Sequence, residues 1–300
     1  MVKNTFSIKD LENLSGIKAH TIRIWEKRYQ LLSPNRSVTN IRSYNLHSLQ
    51  KLLNVSYLKN SGMRISVIAS LNECEIEHQV RDLAQSEQKG NHNLQELKLA
   101  MVNFDESLFN KVYHRELESK NLTSVYFELI VPFLKEMGHL WQSNTINIAH
   151  EHFISNLIKQ KLLIQTELIK SNNESLDDRT FVLFLPENEM HDLGLLFLNY
   201  KLQETGRRTI FLGASMSLES LSFFQRNGQE PIFITFTTVE PNAKKLPGFL
   251  ERFNSQLNKA PLILLGSQFQ ELNKHSLTSN QKAFYNIESV MNHIESQTSA

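Results

Sequence analysis

Two stretches carry side chains for which a buried core has little use. In WQSNTINIAHEHF (141–153), Trp141 is followed after nine residues by Glu151 and His152. In PENEMHDLGLLFL (186–198), Glu189, His191 and Gly194 stand in the order E-x-H-x-x-G. One His and one Glu cannot close a zinc site, which takes three or four protein ligands. They suit a different chemistry, in which a carboxylate orients an imidazole through one ring nitrogen and so prepares the other to bind metal. A macrocycle that already fills four equatorial positions needs only one axial ligand from the protein. Gly194 leaves room for a bulky ligand or for close helix packing. The plainer alternatives are His191 as a satisfied strand-end residue and Trp141 as the cap of a helical core.

The surrounding elements are expected to position both stretches. TFVLFLP (180–186), RTIFLG (208–213), PIFITFTT (231–238) and PLILLG (261–266) read as buried strands, with a weaker AFYNI (283–287). Helical stretches at 190–205, 217–227 and 242–258 alternate with them, and a helix follows the last strand, so a parallel doubly wound sheet is expected. Ligands of such sheets sit at the carboxyl ends of the strands, where Glu189 and His191 fall. From about 93 to 171 the apolar residues recur at i, i+3, i+4, which predicts about four helices in a small bundle. Trp141 ends one of them and Glu151-His152 opens the next.

The N-terminal part has a different character. Residues 1–72 hold eleven Lys or Arg and three Asp or Glu, a net +8, so the remaining 228 residues carry −7. A basic module on a mildly acidic body suits a polyanionic partner, although a solvated basic face would look the same. FSIKDLENLSGIKAHTIRIWEKRYQLLSPNRS (6–37) divides into two short helices. Ser7 and Asp10 form a capping pair, Ser15-Gly16 a turn, and the second helix runs from about Lys18 to Tyr29. NIRSYN (40–45) predicts a short hairpin, or wing, flanked by Arg36 and Arg42. Residues 73–97 are polar, without sustained heptads, and are expected to hold a short helix and a linker around Lys89-Gly90-Asn91.

TIRIWEKRY (21–29), Pro34, Arg36, IRSYN (41–45) and LQKLLNVSYLKNSGMRISVI (49–68) together resemble the winged helix-turn-helix domain of the MerR family. The resemblance implies a double-stranded DNA operator as partner. It places Ala19, His20, Thr21 and Arg23 at or near bases, and Lys27, Arg28, Arg36, Arg42 and Tyr44 on the phosphate backbone. An internal ion pair of Arg28 with Glu26 or Asp10 is the alternative for that residue.

E-x-H-x-x-G resembles the cobalamin-binding signature D-x-H-x-x-G, and the resemblance covers about residues 95–300. It implies a helical bundle followed by a flavodoxin-like fold, with His191 as the lower axial ligand of cobalt. Thr235 in Thr235-Phe236-Thr237, and Gly266 in Gly266-Ser267, fall where that family holds the nucleotide tail. The W-x9-E-H spacing is similar to that of the photoreceptor-type cobalamin regulators of the CarH/LitR group. That likeness implies adenosylcobalamin (or another cobalamin), with Trp141, Glu151 and His152 around the upper axial group. Gln142 stands where known light sensors of the group have His.

The expected architecture is therefore multidomain α + α/β. A winged helix-turn-helix domain (1–75) is followed by a linker (76–92), a four-helix bundle (93–175) and a Rossmann-type parallel sheet of flavodoxin-like topology (176–300). With one cysteine, Cys74, no intramolecular disulfide framework or Cys-based zinc site can form. No apolar run is long enough to span a membrane and no signal-peptide pattern opens the chain, so a cytoplasmic protein is expected. The expected function is non-enzymatic: a repressor governed by adenosylcobalamin and light through a homo-oligomer, dimer or tetramer. The alternatives are a regulator of the same architecture without corrinoid, and a corrinoid carrier resembling methyltransferase modules.

Overall fold

The structure, a computed structural model, describes residues 5–37, 39–85, 89–170, 179–226, 230–269 and 277–297. The chain forms two compact units, Met1–Leu157 and Ile158–Ala300.

The first unit opens with α1 (Ile8–Ser15) and α2 (Ala19–Tyr29). Ser7 and Asp10 make the reciprocal capping box at the start of α1. Gly16 ends it with φ +74°, a conformation that costs glycine least. Leu11 and Leu14 of α1 and Ile22 and Trp25 of α2 are buried, so the two helices share one core. Strands β1 (Asn35–Arg36) and β2 (Arg42–Ser43) form the wing. Phe6 and Tyr44 exchange backbone hydrogen bonds of 2.7 and 2.9 Å, which anchors the N-terminal segment to the wing. α3 (Leu46–Asn60), α4 (Ile65–Ile68) and α5 (Glu73–Gln85) complete the module.

The expected linker is largely helical. α5 buries Ile76 and Val80, and α6 (Lys89–Asn103) begins where a loop around Lys89-Gly90-Asn91 was expected. Leu97, Ala100 and Met101 of α6 are fully buried, and this packing overrides the weak propensity of a first-turn glycine. α7 (Glu106–Ser119) follows. α8 (Leu122–Val125) then continues through a π-helical turn, Tyr126–Ile130, into α9 (Val131–Gln142). α10 (Ile148–Lys170) comes last, and the boundary between the units falls within it. α6, α7 and the α8–α9 rod pack on one another, and the first turns of α10 join them through His150 and Phe153 beside Phe104.

In the second unit β3 (Thr180–Pro186), β4 (Arg208–Met216), β5 (Ile232–Phe236), β6 (Leu262–Leu265) and β7 (Gln281–Phe284) make one parallel sheet in the order β4-β3-β5-β6-β7. Helices α11 (Leu193–Glu204), α12 (Leu218–Arg226), α13 (Leu246–Gln256) and α14 (Ile287–Ser296) cover it. Val182, Phe184, Phe233, Leu262 and Leu264 pack with Phe249, Leu250 and Phe253 of α13 in one buried cluster. Each such side chain stabilises by roughly 1.5–3 kcal/mol. Because β3 pairs with β4 on one side and β5 on the other, the strand order reverses there and opens a crevice at the carboxyl ends of β3 and β5. No helix among the described residues is long and apolar enough to cross a membrane.

Candidate functional site

The loop after β3 lies at that reversal, and Glu189 organises it. Its carboxylate is completely buried. Oε1 accepts from the backbone N–H of Met190 (2.9 Å) and His191 (3.0 Å), and from Nδ1 of His191 at 2.5 Å. Oε2 accepts from the N–H groups of Thr238, Val239 and Glu240 at 2.7–2.9 Å. Burial alone would raise the Glu189 pKa. The bonds from His191 and from the amides of Val239, His191 and Glu240 outweigh it and hold the carboxyl far below the usual range. A charged acceptor on Nδ1 makes that nitrogen the protonated one, so Nε2 is the ring's acceptor. The His191 side chain is 56% exposed and flanked in sequence by exposed Met190, while exposed Val239 donates its N–H to the same Glu189 carboxylate. An exposed imidazole held in one tautomer by a buried carboxylate has the chemistry of a metal ligand.

The other lower-face residues divide. Thr235 and Thr237 are completely buried, and neither hydroxyl has a hydrogen-bond partner among the described residues. Thr235 aligns with Phe184 and Leu264 and shares the face of Phe233, so it points into the sheet core. Thr237, one step beyond β5, is the hydroxyl nearer the strand end. Orphaned buried hydroxyls are uncommon, and that of Thr237 at the strand end fits a polar group still to be received. Gly194 serves close packing: a Cβ there would lie 2.8 Å from the Phe236 ring. At Gly266, φ is +124° and a Cβ would lie 2.0 Å from the carbonyl oxygen of Thr237. Gly266→Ala is therefore expected to destabilise the second unit by roughly 3 kcal/mol or more. Thermal melting followed by circular dichroism checks this; an unchanged midpoint would contradict the close approach of the two strand ends.

In the first unit, Trp141 ends α9 and is 54% exposed, so it does not cap a buried core. Glu151 ends the first turn of α10 and His152 opens the second, their side chains 32% and 66% exposed. Glu151 accepts from Ser155 Oγ at 2.8 Å. His150, in contrast, is buried and stacks on Phe104 with ring centroids 4.6 Å apart, so it is not exposed to a ligand as His152 is.

The basic surface of the helix-turn-helix module is present, with two changes to its expected members. His20, Arg23, Lys27 and Arg28 are exposed along α2, with Ala19 and Thr21 half-buried, and Arg36 is exposed on the wing. Arg28 lies over the Tyr29 ring at 5.4 Å. Tyr44, however, is 1% exposed and donates its hydroxyl to Glu26, so it cannot reach phosphate. Burial, then the Glu26 carboxylate, pushes its phenol pKa up. Arg42 Nε donates to the same carboxylate at 3.1 Å, in a half-buried pair that joins the wing to α2. Residues missed from sequence are Ile24 and Ile41, exposed on α2 and at the wing tip, where apolar side chains can meet a thymine methyl.

Residues 6–73 match the family model described as MerR HTH family regulatory protein, and residues 94–164 match that of the B12 binding domain. This chain joins a MerR-type module to a B12-binding domain. It is homologous to two proteins of Myxococcus xanthus, the HTH-type transcriptional repressors CarH and CarA. Identity to CarH is 26% over 227 residues, covering 74% of this chain and 75% of that protein. Identity to CarA is 26% over 220 residues, covering 72% and 71%. Among solved structures, the monomethylamine corrinoid protein of Methanosarcina barkeri superposes with a TM-score of 0.55 at 12% identity, covering 68% of this chain and 98% of that one. That likeness shows the fold: a helical domain followed by a parallel sheet.

Proposed function

We propose that the chain is a transcriptional repressor whose hold on DNA is set by adenosylcobalamin and relieved by light, through cofactor-dependent self-association. The observation that carries this reading is the Glu189–His191 pair at the strand-order reversal of a chain that also bears a MerR-type module. His191 would ligate the cobalt, and Trp141, Glu151 and His152 are the residues proposed to meet the adenosyl group. Thr237 and the backbone at Gly266 are the groups suited to the nucleotide tail, with Thr235 deeper in the sheet. When bound, the cofactor supplies a cobalt–carbon bond that light breaks. The four-part division at 1–75, 76–92, 93–175 and 176–300 then separates DNA reading, connection, sensing and cobalt ligation.

Self-association follows from the size of the reader. One small module makes few phosphate contacts and binds weakly at physiological salt. Joining modules through an assembled sensor raises the effective concentration of the second. Leu163, Ile164 and Leu168 on α10 are exposed apolar surface of the sort an assembly covers. In the dark, adenosylcobalamin is expected to produce a dimer or tetramer that binds operator DNA tightly. Light is expected to reverse both, less completely with Gln142 beside Trp141 than with an imidazole there. Sedimentation and operator binding before and after illumination test this; identical masses and affinities would overturn the light switch.

The Phe236 ring beside Gly194 favours a second reading, in which the same architecture regulates without corrinoid. A chain that stays colourless after incubation with adenosylcobalamin and desalting would select it.

A further inference from the structure

The loop between α9 and α10 (143–147) follows Trp141 at the end of α9 and precedes Glu151-His152 at the start of α10. Between them it touches the DNA-binding module. Asn13 Nδ2, on α1, donates to Thr145 Oγ1 at 2.7 Å. Thr145 Oγ1 lies 2.9 Å from Ser143 Oγ, and Ser143 Oγ donates to the carbonyl of Leu140 at 3.1 Å. A hydroxyl has one proton, and that of Ser143 is engaged by Leu140. Thr145 therefore donates to Ser143 and accepts from Asn13. The result is a directed chain, Asn13 to Thr145 to Ser143 to Leu140, that ends at the residue before Trp141. Thr145 is 3% exposed, so water competes poorly for these bonds.

A second contact holds the same end of α1. Lys98 on α6 donates to the carbonyl of Leu14 at 3.3 Å and pairs with Glu136 on α9. Leu14 and Leu11 belong to the core shared with Ile22 and Trp25, so α1 cannot shift without α2. A cleft of about 350 Å³ lies beside this contact, bordered by Asn13, Asn60, Gln95 and His139, and gives the end of α1 space to move.

We propose that Thr145 and Asn13 are positioning residues that couple the loop between Trp141 and His152 to the DNA-reading helix. They form a clasp that fixes α2 when the loop is ordered and releases it when the loop shifts. The regulatory part of this proposal rests on the cobalamin reading above; the clasp itself does not.

The test uses the full chain with Thr145→Val, Thr145→Ser, Asn13→Ala and the double variant Asn13→Ala/Thr145→Val. Hydrogen exchange over residues 8–15 is measured without cofactor. Exchange is expected to rise roughly two- to tenfold in Thr145→Val and Asn13→Ala, the factor one net side-chain hydrogen bond is worth. It should rise no further in the double variant, and Thr145→Ser should match the parent chain. Operator affinity is then measured in the dark with and without adenosylcobalamin. The ratio of the two should fall toward one in Thr145→Val and be restored in Thr145→Ser, while cobalamin titration shows unchanged affinity. Parental exchange in Thr145→Val would overturn the clasp. Raised exchange with a parental ratio would overturn its coupling role. A parent chain whose operator affinity ignores cobalamin would refute the proposed function, and with it the regulatory role, while the exchange data still decide the clasp.

Discussion

His191→Ala is expected to abolish axial ligation while leaving the chain folded. The imidazole is more than half exposed, so its removal opens no cavity in the core. Glu189 keeps five backbone donors when the ring is gone, so its charge stays buried but satisfied. Loss of the ligand should weaken cobalamin binding by at least the ~10–100-fold that loss of a ligand's supporting partner costs. Absorption spectra of parent and variant with cobalamin check this, with circular dichroism as the control for folding. A parental spectrum in His191→Ala would mean that the cofactor keeps its own base or binds elsewhere.

Glu189→Gln should do more damage than His191→Ala, although it changes a single atom type. Each carboxylate oxygen accepts from three N–H groups. A glutamine must turn its NH2 toward one of these trios, donor against donor, in a fully buried position. Charge-assisted bonds of this kind contribute ~1.5–3 kcal/mol each, so a net loss of roughly 3–5 kcal/mol is expected. Since the folded-state pKa is depressed, the carboxylate's stabilisation is complete above the ordinary carboxylate range near ~4.3. It is lost as pH falls through the folded value. The gap in denaturant midpoint between parent and variant should thus be constant near neutrality and shrink in acid. A gap independent of pH would show that shape, and not charge, sets the cost.

Much of this architecture was legible in sequence because its signals are local. β3 and β6 are near-continuous apolar runs and β5 is broken only by Thr235, since strands covered on both faces need no polar alternation. The capping box of α1 and the turn at Gly16 are chemistry within three or four residues. What sequence hid depends on partners far along the chain. The N–H groups that hold Glu189 come from positions 49 to 51 residues later, and nothing in Thr238-Val239-Glu240 advertises them. The resemblance places Tyr44 on phosphate, yet Glu26 draws it inward from eighteen positions away. Gly90 read as a break, yet the helix around it is decided by what Leu97 and Met101 pack against.

Glu26 holds both Arg42 and Tyr44, and through them fixes the angle between the wing and α2. A reader whose two contact points cannot adjust to each other leaves the adjustment to the double helix. Groove width and the ease of bending a base step then enter the free energy of binding, including at positions that no side chain reaches. Operators should accordingly be selected in part for their mechanics, with flexible pyrimidine–purine steps favoured in the stretch between the helix and wing contacts.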